Sequence, residues 1–342
     1  MKQVDYVIIG AGIVGLATAY QLCARHPGKR ILVLEKEADV GQHQGGHNSG
    51  VLHTGIYYKP GSEKARNCTI GKELMEKFCL EHSIPFEITG KIIVAINQAE
   101  LSQLQMIYER GQKNGVECRI IDQAEMLEIE PEVSGLKAIY VPKAGFVDYP
   151  AVCRKLAELI RASGGEVILG AKVSSIKERG GRSLIITDKF EVESAYAVNC
   201  AGLYCDQVAI GSGFNPPMRI VPFKGEYYEL LPEAKGFCRN LIYPVPDLNF
   251  PFLGVHFTRM ISGKVECGPN AILAFGREGY GKWQINLPEL WSTLSYPGFL
   301  RLSSRYLGRG LEEFGRSISK AAFVKALQRL VPRIEAQHLI PA

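Results

Sequence analysis

An α/β fold is predicted on three observations: a Rossmann-like nucleotide-binding domain with a mainly antiparallel β-sheet domain inserted in it. The first observation is Val4 to Glu35. There an apolar run breaks into Gly10-Ala11-Gly12-Ile13-Val14-Gly15, a helical pattern follows, and a second apolar run, Ile31 to Leu34, ends on an acid. The second is a later junction of the same kind, where Tyr196 to Cys200 runs into Ala201-Gly202 and a helix start. The third is a change of texture over residues 216–300, rich in Pro, Gly and aromatics with short alternating runs, which reads as mostly antiparallel sheet.

Each part of the first junction has a mechanical reason. Gly10 permits the tight strand-to-helix turn, Gly12 lets a pyrophosphate approach the backbone, and Gly15 lets helix and strand pack closely. Phosphates would then sit on the positive end of the helix dipole. Glu35 follows Gly15 by twenty residues, where a carboxylate can accept hydrogen bonds from a ribose diol. Gly10, Ala11, Gly12, Ile13, Val14, Gly15, Glu35 and the adjacent Lys36 therefore read as a dinucleotide site, one that fits NAD or FAD equally.

The chain has 342 residues, enough for two domains, and its 46% hydrophobic and 22% charged content is that of an ordinary globular protein. No run of about 18 apolar residues occurs, so no transmembrane helix is expected. The first strand starts within a few residues of Met1, so no signal or transit peptide is expected either. Nine scattered cysteines without a C-x-x-C pair argue against a disulfide framework or a zinc site and suit a reducing, cytoplasmic setting. Residues 301–342 hold eight Lys/Arg against three Asp/Glu, which accounts for the whole net charge of +5. No basic motif with interleaved aromatics appears, so nucleic acid is not an expected partner.

Along the chain, Gly41 to Gly50 is a polar, glycine-dense loop. Ser62 caps a helix to about His82 with Ile70, Leu74 and Phe78 on one face. Glu87 to Ile96 reads as a strand, Gln98 to Asn114 as a helix, Glu117 to Ile121 as a strand and Ala151 to Ala162 as a helix closed by Gly164-Gly165. Strands follow at 166–169, 172–177, 183–187 and 196–200, and Ser317 to Val331 reads as one amphipathic helix. The expected cofactor domain is discontinuous, 1–85 with 146–215 and 301–342; the substrate domain is 86–145 with 216–300. No internal repeat or low-complexity segment is present.

Several stretches carry a family resemblance: HNSGVLHTGIYYKPGS (47–62), GAGIVGLATAYQL, VNCAG (198–202), RIVPFKGEYYEL (219–230), residues 241–275 and RSISKAAFVKALQRLVP (316–332). On these the chain resembles the FAD-dependent L-2-hydroxyglutarate oxidase/dehydrogenase family, of the D-amino-acid-oxidase-like flavoproteins. The resemblance implies FAD as cofactor and oxidation of a 2-hydroxy dicarboxylate, with electrons passed to a quinone-type acceptor or oxygen. It also implies that Gly45, Gly46, Asn48, Ser49, Gly50 and Val51 cover the flavin. Val173 then lies in a strand near the adenine, and Ala201 and Gly202 approach the cofactor again. The chain ends at HLIPA, where the family continues with a segment closing over the flavin's pyrimidine end. The rival readings are an amino-acid substrate, glycerol 3-phosphate, nucleotide binding without turnover, or an NAD-linked reductase, against which the Gly41–Gly50 loop argues.

Oxidising a 2-hydroxy acid requires a hydride acceptor and a base for the hydroxyl proton. His53, beside the glycine-dense loop, is the base candidate and His256 the alternate, because histidine titrates near working pH. Two carboxylates call for cationic clamps, and charge-assisted hydrogen bonds contribute roughly 1.5–3 kcal/mol each. Lys224 and Arg259 or Arg277 are the candidates, with Tyr57 and Tyr243 as hydroxyl donors. A regular strand from Leu253 to Met260 would put His256 and Thr258 on one face and Arg259 on the other. His43, His47 and His53 match no zinc spacing, so no metal is expected. The basic tail helix reads as packed on the cofactor domain, with peripheral contact to an anionic membrane as the alternative.

Overall fold

Hydrophobic periodicity and glycine placement decide where the elements begin and end. The computed structural model describes residues 1–246, 254–282 and 284–342. In order they form β1 (Lys2–Ile9), α1 (Ile13–Arg25), β2 (Ile31–Leu34), β3 (Val51–Leu52), α2 (Glu63–Glu81), β4 (Phe86–Ile88), β5 (Lys91–Ala95) and α3 (Gln98–Lys113). Next come β6 (Arg119–Ile121), α4 (Gln123–Ile129), β7 (Lys137–Val141), β8 (Gly145–Val147), α5 (Tyr149–Ala162), β9 (Glu166–Ile168), β10 (Val173–Arg179), β11 (Arg182–Thr187) and β12 (Glu191–Asn199). The rest is α6 (Cys205–Gly211), β13 (Phe223–Leu230), β14 (Leu241–Pro244), β15 (His256–Arg259), β16 (Val265–Leu273), α7 (Leu287–Leu294), α8 (Pro297–Ile318), α9 (Lys320–Leu327) and β17 (Leu339–Pro341).

The chain divides into two compact units. Unit 1 is Met1–Asn48, Asp148–Pro222 and Gly276–Glu278; unit 2 is Ser49–Val147, Phe223–Phe275 and Gly279–Ala342. Unit 1 holds a six-stranded sheet in the order β10-β11-β12-β1-β2-β9. Strands β12, β1, β2 and β9 are parallel, and β11 is antiparallel to β10 and β12. All four residues of β2 are buried, as expected of a strand covered on both faces. Helix α5 starts at an Asp148 cap that accepts from Ala151 N at 2.9 Å and buries Val152, Cys153, Leu156, Ala157 and Ile160, one helical stripe.

Unit 2 holds an eight-stranded sheet, β17-β13-β16-β15-β14-β5-β7-β6, and a small sheet, β3-β8-β4. The large sheet is antiparallel except where β14 runs parallel to β5, Tyr243 opposite Ile93. Alternation splits its side chains cleanly. Ile92, Val94, Ile242, Phe257, Val265 and Cys267 pack on one face with Phe323, Leu327 and Val331 of the tail. Ile93, Ala95, Leu241, Tyr243, Ile139 and Val141 pack on the other with Leu104 and Ile107 of α3.

Several expectations are corrected. The single helix expected over Ser317 to Val331 is two elements: α8 ends at Ile318, and the Ser319 hydroxyl accepts from Ala322 N at 3.2 Å to start α9. Residues 301–342, expected in the cofactor domain, fall in unit 2, because Phe323, Leu327 and Val331 complete its core and β17 pairs with β13. Gly90, at φ +87°, breaks the expected strand 87–96 into β4 and β5. On α2, Ile70 and Leu74 are 48% and 61% exposed, so the apolar stripe read there is not a core face. The strand expected from Leu253 begins outside the described residues. Leu327 is fully buried, so Leu327→Ala should lower unfolding free energy by about 2–5 kcal/mol in denaturant titration.

Candidate functional site

In unit 1 the carboxyl ends of three parallel strands meet. Gly10 N donates to Leu34 O at 2.8 Å and Cys200 N to Ile9 O at 2.9 Å, which joins β1 to both neighbours at the turn. A Cβ on Gly10 would stand 2.5 Å from Cys200 O, and one on Gly15 1.9 Å from Gly10 O. Gly12 opens instead onto space with nothing within 4 Å. Behind it α1 begins with no side-chain cap, so its first N–H groups are offered to a ligand. A backbone that excludes Cβ atoms at Gly10 and Gly15, open at Gly12, fits a pyrophosphate.

Glu35 is buried. Its Oε2 accepts from Ala11 N at 2.6 Å and its Oε1 from Glu37 N at 3.0 Å, so the acid read as a ribose ligand also clamps the glycine loop. Ala171 N donates to Glu35 O at 2.7 Å, which brings the start of β10, with buried Val173, to the same end of the sheet. Gly41 N donates to Ala11 O at 2.9 Å, and Gly45 and Gly46 turn tightly over Gly41. Asn48 Nδ2 holds that turn through Gln44 O (3.1 Å) and Gly45 O (3.0 Å). Ala201 N donates to Asn199 Oδ1 at 3.2 Å; a Cβ on Gly202, at φ +53°, would lie 3.9 Å from Gln44 Oε1. Ile13 and Val14 open α1, and Val14 is 66% exposed.

Charged groups beside this junction are already paired. Lys36 Nζ contacts Glu37 and Glu278 and lies 2.9 Å from His43 Nε2. Burial alone would lower it, but Glu278 and Glu37 hold it above its ordinary range. Glu37, His43 and Glu278 have the spread of a metal-ligand trio, yet the Lys36 ammonium occupies their centre. Arg277, read as a substrate clamp, is instead a structural cross-link, its fork on Asp206 at 2.5 and 2.7 Å. Burial opposes ionisation of Asp206, and the guanidinium together with the backbone N–H groups of Ile220 and Gln207 outweighs it, keeping the carboxyl below its usual range.

Unit 2 gathers a second group. Lys91 Nζ lies 4.7 Å from the Tyr57 ring centroid and 5.0 Å from that of Tyr243. The His256 ring stacks on Tyr243 at 4.1 Å with a 14° tilt. His256 Nδ1 lies 3.1 Å from Gly254 O; a carbonyl only accepts, so Nδ1 carries the proton and Nε2 keeps the lone pair. Burial, with Lys91 and His256 close by, lowers His53 to about 3. Burial also takes His256 to about 4, the Gly254 bond opposing and Lys91 reinforcing, and pulls Lys91 to about 8. Tyr57 Oη is buried without a hydrogen-bond partner, and burial raises its pKa.

His53, His256, Tyr57 and Tyr243 are thus brought together, and Lys91, which sequence reading missed, stands at their centre. Arg259 is not part of this group: it lies on the opposite face of β15 from His256, its Nη1 3.3 Å from Arg239 O. Lys224, lowered by burial, donates to Gly281 O at 2.7 Å, and among the described residues nothing links it to Lys91. Ser49 and Gly50 open unit 2; Gly50, at φ +70°, accepts from Val147 N at 2.8 Å, and Val51 pairs with Phe146.

The family model described as FAD dependent oxidoreductase matches residues 5–330. The chain belongs to the FAD-dependent oxidoreductase family. The L-2-hydroxyglutarate dehydrogenase of Indibacter alkaliphilus is 48% identical over 98% of this chain and 84% of its own. That of Escherichia coli K12 is 40% identical over 98% and 80%, and the human mitochondrial one 42% over 98% and 75%. Among solved structures, the FAD-bound L-α-glycerophosphate oxidase of Mycoplasma pneumoniae superposes with TM-score 0.79 at 21% identity, covering 99% of this chain and 82% of that one. Glycine oxidase from Geobacillus kaustophilus gives 0.74 at 16% identity, over 100% and 80%. These two share the fold of an FAD-dependent oxidoreductase. In the family setting Gly15→Ala forces α1 off the Gly10 carbonyl, so purified protein should lose most of its bound flavin, read as flavin absorbance per chain.

Proposed function

We propose that this chain oxidises L-2-hydroxyglutarate to 2-oxoglutarate. What carries the reading is the relatives bearing that activity's name at 40–48% identity across 98% of the chain. FAD, when bound, supplies the acceptor for the hydride leaving the substrate's Cα. The cradle at Gly10–Gly15, with Glu35 and the turn holding Gly45, Gly46 and Asn48, suits its diphosphate and ribose; Ala201, Gly202 and Val173 complete the unit 1 contribution. Ser49, Gly50 and Val51 stay in the cofactor proposal on the resemblance of residues 47–62.

His53 is the proposed base for the hydroxyl proton. Its ring has no hydrogen-bond partner among the described residues and is half-buried, whereas the His256 ring is held by Gly254 and Tyr243. His256, proton on Nδ1 and lone pair on Nε2, is the proposed acceptor that orients the same hydroxyl. Tyr243 fixes the His256 plane by stacking. Positioned acid–base groups contribute typically 10²–10⁴-fold.

The electron acceptor is proposed to be a quinone, reached by peripheral contact at the cytoplasmic face of a membrane. No helix among the described residues is long and apolar enough to cross a membrane. The tail does not support that contact, because Arg316, Arg329 and Arg333 pair with Glu313, Glu100 and Glu132. Support comes from α8, where Leu307, Leu311, Phe314 and Ile318 follow one helical stripe and are 49–64% exposed.

Anaerobic addition of L-2-hydroxyglutarate should bleach the flavin of the purified protein. His53→Asn should slow bleaching about 10²–10⁴-fold with KM changed only a few-fold; a larger loss in His256→Asn would exchange the two roles. Bleaching by glycerol 3-phosphate or an amino acid and not by L-2-hydroxyglutarate would overturn the substrate. Leu311→Asp should abolish co-sedimentation with anionic vesicles; equal sedimentation of the variant, or none of the parent chain, would overturn the membrane contact.

A further inference from the structure

Lys91 has a strongly buried side chain, 1% exposed, at the start of a strand whose other residues are all apolar. Among the described residues its ammonium has no carboxylate and no hydrogen-bond acceptor; its close neighbours are the faces of Tyr57 and Tyr243. A cation over an aromatic face gains less than removing an ammonium from water costs. The titratable groups facing it are His53, Tyr57, Cys68 on α2, Tyr243 on β14 and His256 on β15, none of which is an anion at neutral pH. Beside it the buried Tyr57 Oη lacks a partner. A buried cation without an anion and a buried hydroxyl without an acceptor both ask for the same missing group.

We infer that Lys91 is the anion anchor of this site, its ammonium between Tyr57 and Tyr243 binding one carboxylate of the substrate while Tyr57 Oη donates to that carboxylate. The inference rests on the dicarboxylate reading above and adds a residue and a selectivity to it. With both histidines neutral the local charge is a single positive unit, which matches one carboxylate and leaves a phosphate dianion half compensated. The site therefore selects carboxylic acids over phosphate esters.

The test is equilibrium binding of glutarate, propionate and inorganic phosphate to the flavin-loaded protein, read by flavin absorbance, alongside the thermal midpoint without ligand. The parent chain should bind glutarate and propionate and not phosphate, with affinity falling above about pH 8 as Lys91 loses its proton. Lys91→Gln should weaken both carboxylates by about 10- to 100-fold, the worth of a charge-assisted hydrogen bond. Lys91→Met, which buries no charge, should raise the ligand-free midpoint, lose the carboxylate response and supply the measurement if the Gln variant does not fold. Unchanged carboxylate affinity in a folded, flavin-loaded Lys91 variant, or phosphate binding more tightly than glutarate, overturns the inference. If L-2-hydroxyglutarate fails to bleach the parent chain while glutarate binds in a Lys91-dependent way, the substrate reading falls and the anchor stands. If L-2-hydroxyglutarate bleaches with the same half-saturation in parent and Lys91→Gln, the anchor falls and the substrate reading stands.

Discussion

Register between β5 and β14 decides which side chains meet in unit 2. The two strands run parallel with Ile92 opposite Ile242 and Ile93 opposite Tyr243. Alternation then sends Ile92 and Ile242 into the core beneath the tail, and Lys91, Ile93 and Tyr243 to the other face. Strand β15 continues the pattern, with Phe257 in the core and His256 stacked on Tyr243. A slip of one residue would turn the slipped strand over and exchange a buried isoleucine for a lysine in β5 or a tyrosine in β14. The apolar packing of Ile92, Ile242 and Phe257 thus holds the polar group on the opposite face in place. Stability on one side of the sheet specifies chemistry on the other.

The nucleotide junction was legible because its rules are local. Gly15 must clear the Gly10 carbonyl five residues earlier and Gly10 takes φ +101°, both of which a glycine pattern between two apolar runs reports directly; the approach of Cys200 O to Gly10 left no such trace. Glu35 was legible by spacing, but its bond to Ala11 N was not: the acid's second role depends on how the loop closes, which spacing leaves open. The mainly antiparallel sheet was legible from alternation and turn residues. The parallel β14–β5 pairing joins residues about 150 positions apart and left no local trace.

The polar group in unit 2 was half legible. His53 and His256 drew notice as groups suited to proton transfer and Tyr57 and Tyr243 as hydroxyl donors, whereas Lys91 drew none. Its signal was present: a charge opening KIIVA directly after the Gly90 break, where every following residue is buried. Arg277 was the opposite case. An arginine looks available until its fork is found on Asp206, a partner 71 residues away. The tail misled for a related reason: it reads as packed on the cofactor domain, and the deciding feature is that Phe323, Leu327 and Val331 complete a core built from strands of unit 2 far earlier in the chain.

The same ammonium sets two opposing conditions on the histidines. Burial takes most of their basicity, and the uncompensated charge of Lys91 takes more, so neither is an effective proton acceptor while the site is empty. A carboxylate arriving at Lys91 cancels the repulsion on both rings, the smaller of the two penalties, and leaves the burial penalty in place. In the proposed reaction the substrate's own charge thus shifts its base part of the way back toward ordinary basicity. An uncharged alcohol of the same shape would enter a site whose histidines remain too acidic to take its proton, so discrimination would appear in the chemical step as well as in binding.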